Sequence, residues 1–155
     1  MKRKTLGYIF LALFIFVTLY IFHNSFQDAA ESSSQSSRIV DIAEKIIKAF
    51  KPEKEIDRDF ITYLIRKTAH FIEFFIQGVL FGAVIYIFSS KYNVINILFT
   101  GLLTACCDEF IQLSSDGRSA QITDVFVDFS GCILAAVLYS LFYYFTMRKN
   151  KLRFN

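Results

Sequence analysis

The chain has 155 residues and a net charge of +3, and its composition is 54% hydrophobic and 17% aromatic, with 19 Phe, one Pro and no Trp. This hydrophobic fraction exceeds the roughly 45–50% of an ordinary soluble domain, which argues against a water-soluble enzyme, a secreted disulfide scaffold or a disordered chain. The apolar residues fall into four blocks, each close to the length of about 20 residues with which a helix crosses a bilayer. We therefore predict an all-α integral membrane four-helix bundle with spans at Leu6–Phe22, Tyr63–Phe88, Val94–Leu113 and Ile122–Phe145.

The first apolar block follows a basic start and allows two interpretations. A secretory signal has a basic start and an apolar run of this kind. We prefer a retained helix, because the run is long and Gln27–Glu31 is a poor small-x-small cleavage site. Residues 1–23 are therefore predicted to form the first transmembrane helix.

The segment 24–62 is predicted to be an extracytoplasmic loop that contains one amphipathic helix. Ser32–Ser37 is of low complexity and indicates a flexible link. Helical spacing of apolar residues then predicts a helix over Ser37–Phe50, which Lys51-Pro52 ends. We expect it either to lie on the outer leaflet or to cap the bundle. Its predicted apolar face consists of Ile39, Ile42, Ala43, Ile46, Ile47 and Phe50.

The charges predict the orientation of the chain in the cell membrane. The two tails and the loop between the second and third spans contain eight cations and no acids, whereas the rest holds the other 9 of 17 cations and all 14 acids. Short basic segments stay cytoplasmic, so we expect both termini to be cytoplasmic. The even number of spans agrees, although the segment 24–62 also contains six cations. The core of three helices then covers 63–147, and 148–155 is a cytoplasmic basic tail. The eight cations are Lys2, Arg3, Lys4, Lys91, Arg148, Lys149, Lys151 and Arg153.

Polar residues interrupt three of the spans at helical spacing, where each needs a partner or a function. At a rise of 1.5 Å per residue, His70, Asp108 and Asp128 each lie roughly 8–11 Å from the predicted outer end of their span. A shared depth predicts that they converge on one cavity that opens outward. The predicted ligand-binding residues are Arg66, His70, Glu73 and Gln77 in the second span, Asp108, Glu109 and Gln112 in the third, Arg118 in the following loop, and Asp124 and Asp128 in the fourth.

The sequence leaves the chemistry of this cluster open. Its carboxylates outnumber its cations, and the difference in charge has several possible counterparts. Protons, an imidazolium at His70, a bound cation or a cationic ligand would each offset the difference. A divalent cation would be held by His70, Glu73, Asp108 and Asp128. Alternatively, His70 with Glu73 or Asp128 would form an acid–base pair, and these three are the candidate catalytic residues.

A purely structural network is the alternative to a functional site. Pairs Arg118–Asp124 and Arg66–Glu109 would lock the helices together, and Asp124 would cap the fourth helix. Lys67 would extend to the membrane interface. The three cysteines, Cys106, Cys107 and Cys132, have no zinc-site spacing and are interpreted as small packing residues.

The order of these polar motifs resembles that of the VanZ-like family. The resemblance covers roughly Thr62 to Phe145 and implies a small polytopic bacterial membrane protein that acts at the outer face of a Gram-positive cell. It also implies an association with low-level resistance to the lipoglycopeptide teicoplanin, but it does not supply a biochemical activity. Many members have a Pro-Gly-Arg loop where this chain has Ser115-Asp116-Gly117-Arg118. The matching motifs are Arg66–Phe74, Asp108–Gln112, Gly117-Arg118 and Asp124–Gly131.

Three functions follow as hypotheses. The first is binding of a lipid-linked cell-wall precursor or a lipoglycopeptide, with membrane lipids as the other partner. The second is a membrane enzyme that hydrolyses or transfers a lipid head group, either with a metal or by acid–base catalysis. The third is ion-coupled transport, against which residues 80–88 and 133–145 are nearly all apolar. No nucleic-acid partner is expected, and a homo-oligomer stays open.

Overall fold

The computed structural model describes residues 2–50, 55, 57–89, 92–115 and 121–153, which form helices without a strand. Four of the helices, α1, α3, α4 and α5, are long and apolar enough to cross a membrane. The prediction of an all-α bundle with four spans is therefore confirmed. The helices are α1 (Lys2–Phe26), α2 (Ala29–Phe50), α3 (Arg58–Phe88), α4 (Val94–Gln112) and α5 (Ile122–Arg153).

The most extensive helix interface joins α3 and α5, and small residues make it close. A Cβ added at Gly131 would lie 2.9 Å from the backbone nitrogen of Phe75, and one added at Gly78 would lie 2.7 Å from the Ala135 Cβ. Within a membrane the hydrophobic effect does not hold helices together, so such close contacts take over much of that role. The α3–α5 pair is thus the frame on which α1 and α4 pack.

The outside of the bundle is apolar, as a lipid-facing surface must be. Large apolar side chains on all four spanning helices are more than half exposed. Buried residues are few on α1, where only Gly7, Ile21 and Ser25 are buried among the described side chains. The surface is therefore suited to acyl chains rather than to water. Examples of the exposed residues are Phe16, Ile95, Phe126 and Phe145.

Three spanning helices extend beyond the predicted spans, since α5 continues past Phe145 to Arg153. The helix α1 runs past both ends of Leu6–Phe22, and α3 begins at Arg58 rather than at Tyr63. The start of α3 is fixed by Asp57, whose carboxylate accepts a hydrogen bond from the Phe60 N–H at 3.0 Å. A capped helix of 31 residues is about 46 Å long, more than a bilayer core requires.

The helix α2 corrects the prediction of a flexible link at Ser32–Ser37. These residues are helical, because α2 begins at Ala29 rather than at Ser37. The carboxylate of Asp28 accepts the Glu31 N–H at 2.7 Å and so caps the new helix start. The described part of α2 reaches Phe50, and Lys51 and Pro52 lie outside the described residues, so the helix end at Phe50 stays a prediction.

The helix α2 packs on α3 through a face that is different from its predicted apolar face. Val40 is buried there, and Arg58 forms ion pairs with Asp41 at 2.6 Å and Glu44 at 3.0 Å. Most of the predicted apolar face is exposed, which agrees better with contact to a membrane than with burial in the bundle. Its exposed residues are Ile39, Ile42, Ile46 and Phe50.

Candidate functional site

Three of the predicted site residues meet between three helices. His70 lies on α3, Asp108 on α4 and Asp128 on α5, and one potential ligand atom from each lies within 4.8 Å of the others. The Nδ1 atom of His70 is 3.7 Å from Asp128 Oδ1 and 4.0 Å from Asp108 Oδ2. Asp108 is 0% exposed and Asp128 is 2% exposed, so both carboxylates are inside the bundle. We call these three residues the His–Asp cluster.

Asp108 is held in place by hydrogen bonds from two helices. The Ser25 hydroxyl of α1 donates to Asp108 Oδ1, and the Gln112 Nε2 donates to Asp108 Oδ2 at 2.8 Å. Ser115 adds a further link, since its hydroxyl donates to the Ser25 carbonyl at 2.8 Å. These donors fix the orientation of a carboxylate that would otherwise be costly to bury.

Glu73 and Gln77 continue the polar stripe of α3 toward α1. The Asn24 amide donates to Glu73 Oε1 at 3.1 Å, and the Gln77 amide donates to the Thr18 hydroxyl at 2.9 Å. The second oxygen of Glu73 and the carbonyl oxygen of Gln77 are buried and have no hydrogen-bond partner among the described residues. Acceptor capacity is therefore left over along this stripe.

A polar pocket of about 220 Å³ lies between α1, α2 and α3, next to the His–Asp cluster. Arg66, His70 and Glu73 line it from α3, so His70 belongs to both the pocket and the cluster. Arg66 forms no ion pair with another described residue. The other polar groups of the wall are Tyr20, Asn24, Gln27, Ser32 and Ser36.

Glu109 and Asp124 lie outside the pocket and hold helices together. The Gln121 backbone N–H donates to Glu109, so the expected pair Arg66–Glu109 does not form. Asp124 forms an ion pair with Lys67, which is therefore turned into the bundle and does not extend to the interface as expected. Both side chains of this pair are less than one-fifth exposed. Arg118 lies outside the described residues, so its expected pair with Asp124 stays a prediction.

The contribution of α1 to the site was not predicted from the sequence. Thr18, Asn24 and Ser25 supply polar groups to the site, although the first span was interpreted only as a retained transmembrane helix. The available signal was spacing, since Thr18 and Ser25 are seven residues apart and lie on one helical face. Among the cysteines, only Cys132 is buried, and its thiol donates to the Phe74 carbonyl at 3.3 Å.

The fold and the polar residues define a small multi-pass membrane protein with ionisable groups inside its bundle. Residues 9–143 match the protein family described as VanZ/LLP1, and the chain belongs to this family. The resemblance inferred from the polar motifs is thereby confirmed. No curated protein and no solved structure matches the chain.

Proposed function

We propose that the protein binds the polar head of a lipid-linked or lipopeptide molecule at the outer membrane surface, and that it thereby lowers susceptibility to teicoplanin-type lipoglycopeptides. The polar pocket carries this proposal. It combines Arg66, which suits an anionic group such as a phosphate, with Glu73, which suits N–H or O–H donors. A lipid-linked cell-wall precursor offers both kinds of group.

The size and surroundings of the pocket support binding of a head group. A volume of about 220 Å³ admits a head group but not a complete lipoglycopeptide. The exposed apolar residues of the four spans surround the bundle, so an attached acyl or polyprenyl chain would lie against an apolar surface. The ligand would therefore approach from within the membrane.

The position of the basic tails supports an outward-facing pocket. Arg3, at the start of α1, donates to the Tyr86 carbonyl near the end of α3, whereas Asn24 and Glu73 meet at the opposite end. The tail cations thus lie at the end away from the pocket, and basic segments favour the cytoplasmic side. A fluorescent reporter fused after Asn155 should fold in the cytoplasm, and a reporter active only outside would contradict this orientation.

Binding by the purified full chain in lipid nanodiscs tests the proposal. The probes are a polyprenyl-pyrophosphate-linked muropeptide and teicoplanin, and calorimetry measures the Kd. Arg66→Ala and Glu73→Gln should each weaken binding of the preferred probe about tenfold, which corresponds to about 1.4 kcal/mol. The matched control is Arg38→Ala, which removes an exposed arginine of α2 that does not line the pocket.

Two results would contradict head-group binding. One is an unchanged Kd in Arg66→Ala, and the other is a folded wild-type chain that binds neither probe. A susceptible Gram-positive host connects binding to resistance, since expression of the wild-type chain should raise the inhibitory concentration of teicoplanin and Glu73→Gln should not.

Catalysis on a lipid head group is the second candidate, and the His–Asp cluster favours it. An imidazole beside two carboxylates is suited to acid–base or metal-assisted hydrolysis. Release of phosphate from a polyprenyl pyrophosphate, lost in His70→Gln, would establish this candidate. Transport has less support, because the groove at the opposite end of the bundle is lined by apolar side chains apart from two tyrosines.

A further inference from the structure

The distances within the His–Asp cluster fit the ligands of one shared metal ion better than they fit hydrogen bonds. The 3.7 Å and 4.0 Å between the imidazole and the two carboxylates exceed the 2.7–3.2 Å of a hydrogen bond. Bonds of about 2.1 Å to a tetrahedral metal ion place its ligand atoms about 3.4 Å apart. Small side-chain movements would therefore bring all three groups to one ion.

Asp128 supplies a second and independent observation. Its Oδ2 atom is buried and has no hydrogen-bond partner among the described residues, and the residue is only 2% exposed. No described lysine or arginine forms an ion pair with Asp128, and the neighbouring Lys67 pairs with Asp124. A buried carboxylate oxygen without a donor is costly, and a bound cation would offset that cost.

We propose that His70, Asp108 and Asp128 form a binding site for one divalent transition-metal ion, Zn²⁺ or Mn²⁺. One imidazole nitrogen with two carboxylate oxygens is a mixed ligand set, which suits these ions better than the oxygen-only preference of Mg²⁺ and Ca²⁺. Ser25 and Gln112 orient Asp108 as outer-shell donors commonly do around metal ligands.

The cluster also leaves room for chemistry at the ion. Three protein ligands leave a coordination position for water or for an oxygen of a bound molecule. His70 lines the polar pocket as well, so the ion would lie next to any head group held there. Metal binding nevertheless does not depend on the proposed head-group binding, because the three ligands are all supplied by the protein.

Titration of the metal-free full chain tests the proposal. The protein is purified in detergent, treated with a chelator, and titrated with Zn²⁺, Mn²⁺, Mg²⁺ and Ca²⁺ by calorimetry. We expect one Zn²⁺ or Mn²⁺ per chain and weaker binding of Mg²⁺ and Ca²⁺. His70→Gln and Asp128→Asn should each weaken the binding of the transition metal at least tenfold. Co²⁺ should give visible absorption bands that both variants lose.

Two control variants separate this site from adventitious binding. His23→Ala removes the only other histidine, and Asp59→Asn removes an exposed carboxylate of α3 that is not part of the cluster. Both should bind the ion as the wild type does. A folded wild-type chain that binds no Zn²⁺ or Mn²⁺ would overturn the proposal. An affinity for the metal ion in His70→Gln and Asp128→Asn equal to that of the wild type would also overturn it. Arg66→Ala should lose head-group binding and keep full metal binding. This result bears on the proposed function and not on the metal site.

Discussion

The two ends of the helix bundle are built from the same four helices but held by different forces. At the polar end, Asp108 accepts hydrogen bonds from two helices, and Asp128 and Glu73 each have a buried oxygen without a hydrogen-bond partner among the described residues. At the other end, which we call the aromatic end, rings pack together around Tyr139 and Tyr86. The comparison teaches that buried polar contacts specify the polar end and leave acceptors for a ligand, whereas ring packing dominates the aromatic end and hydrogen bonds such as Tyr92–Ser140 add to it.

The contact between α3 and α5 should tolerate an added Cβ least at its polar half, where the backbones of the two helices meet. A Cβ at Gly131 would clash with the Phe71 carbonyl oxygen, which cannot rotate away. At the aromatic end, a Cβ at Gly82 would lie 3.3 Å from movable side-chain atoms of Ile97 and Tyr139. We expect Gly131→Ala to lower the free energy of unfolding by about 3 kcal/mol and Gly82→Ala by less than about 1 kcal/mol.

Thermal and denaturant unfolding of the two purified variants in one detergent measures this difference. Gly78→Ala is an intermediate case, because the atom it would meet is the Ala135 Cβ at 2.7 Å. Equal destabilisation by Gly131→Ala and Gly82→Ala would contradict the view that the two ends pack differently.

The hydrogen bond between α1 and α4 should have the next largest effect. Ser25→Ala removes the α1 donor to the buried Asp108 carboxylate, while the Gln112 donor within α4 stays in place. The loss should be about 1–2 kcal/mol in the free energy of unfolding. Ser37→Ala is the control, since this exposed hydroxyl bonds only within its own helix. A neutral Ser25→Ala would show that the polar end does not depend on this contact.

The sequence predicted the spans and the polar stripe well, because both depend on local periodicity. Hydrophobic blocks identify spanning helices, and residues spaced i, i+4 and i+7 share a face in any helix. His70, Asp108 and Asp128 meet as their shared depth predicted.

Pairings between helices could not be predicted in the same way. The sequence does not give the rotation of one helix against another, and Lys67 consequently faces Asp124 instead of the interface. Helix starts outside the apolar blocks were missed for a similar reason. Asp28 and Asp57 cap α2 and α3 in polar sequence, where hydrophobic periodicity is silent. The role of α1 was missed because Thr18 is isolated in an apolar run and because Asn24 and Ser25 lie beyond the predicted span.

A double-mutant cycle tests the hydrogen bonds of Gln77, which lies between the polar end and the aromatic end of the bundle. Gln77 is 1% exposed and donates to both Thr18 and Thr104, the latter at 3.3 Å. Interhelical hydrogen bonds in membranes average about 0.6 kcal/mol, so we expect a coupling of that size between Gln77→Leu and Thr104→Val. Unfolding of the two single variants and the double variant measures it. A coupling near zero would show that the hydrogen bond between Gln77 and Thr104 does not contribute to helix association.

The smallest effect on global stability should come from the contact that holds α2 over the polar end. Arg58 forms its ion pairs with Asp41 and Glu44 at the surface, where solvent and salt screen them. Arg58→Ala should therefore leave the unfolding midpoint of the bundle unchanged while amide hydrogen exchange in α2 becomes faster, and added salt should reproduce this in the wild type. Arg38→Ala, which removes an exposed arginine of α2 without a described ion pair, should change neither quantity.

Because α2 lines the polar pocket through Ser32 and Ser36, faster opening of α2 should also weaken head-group binding without weakening metal binding. Unchanged exchange in Arg58→Ala would mean that buried Val40, rather than the ion pairs, holds α2 on α3.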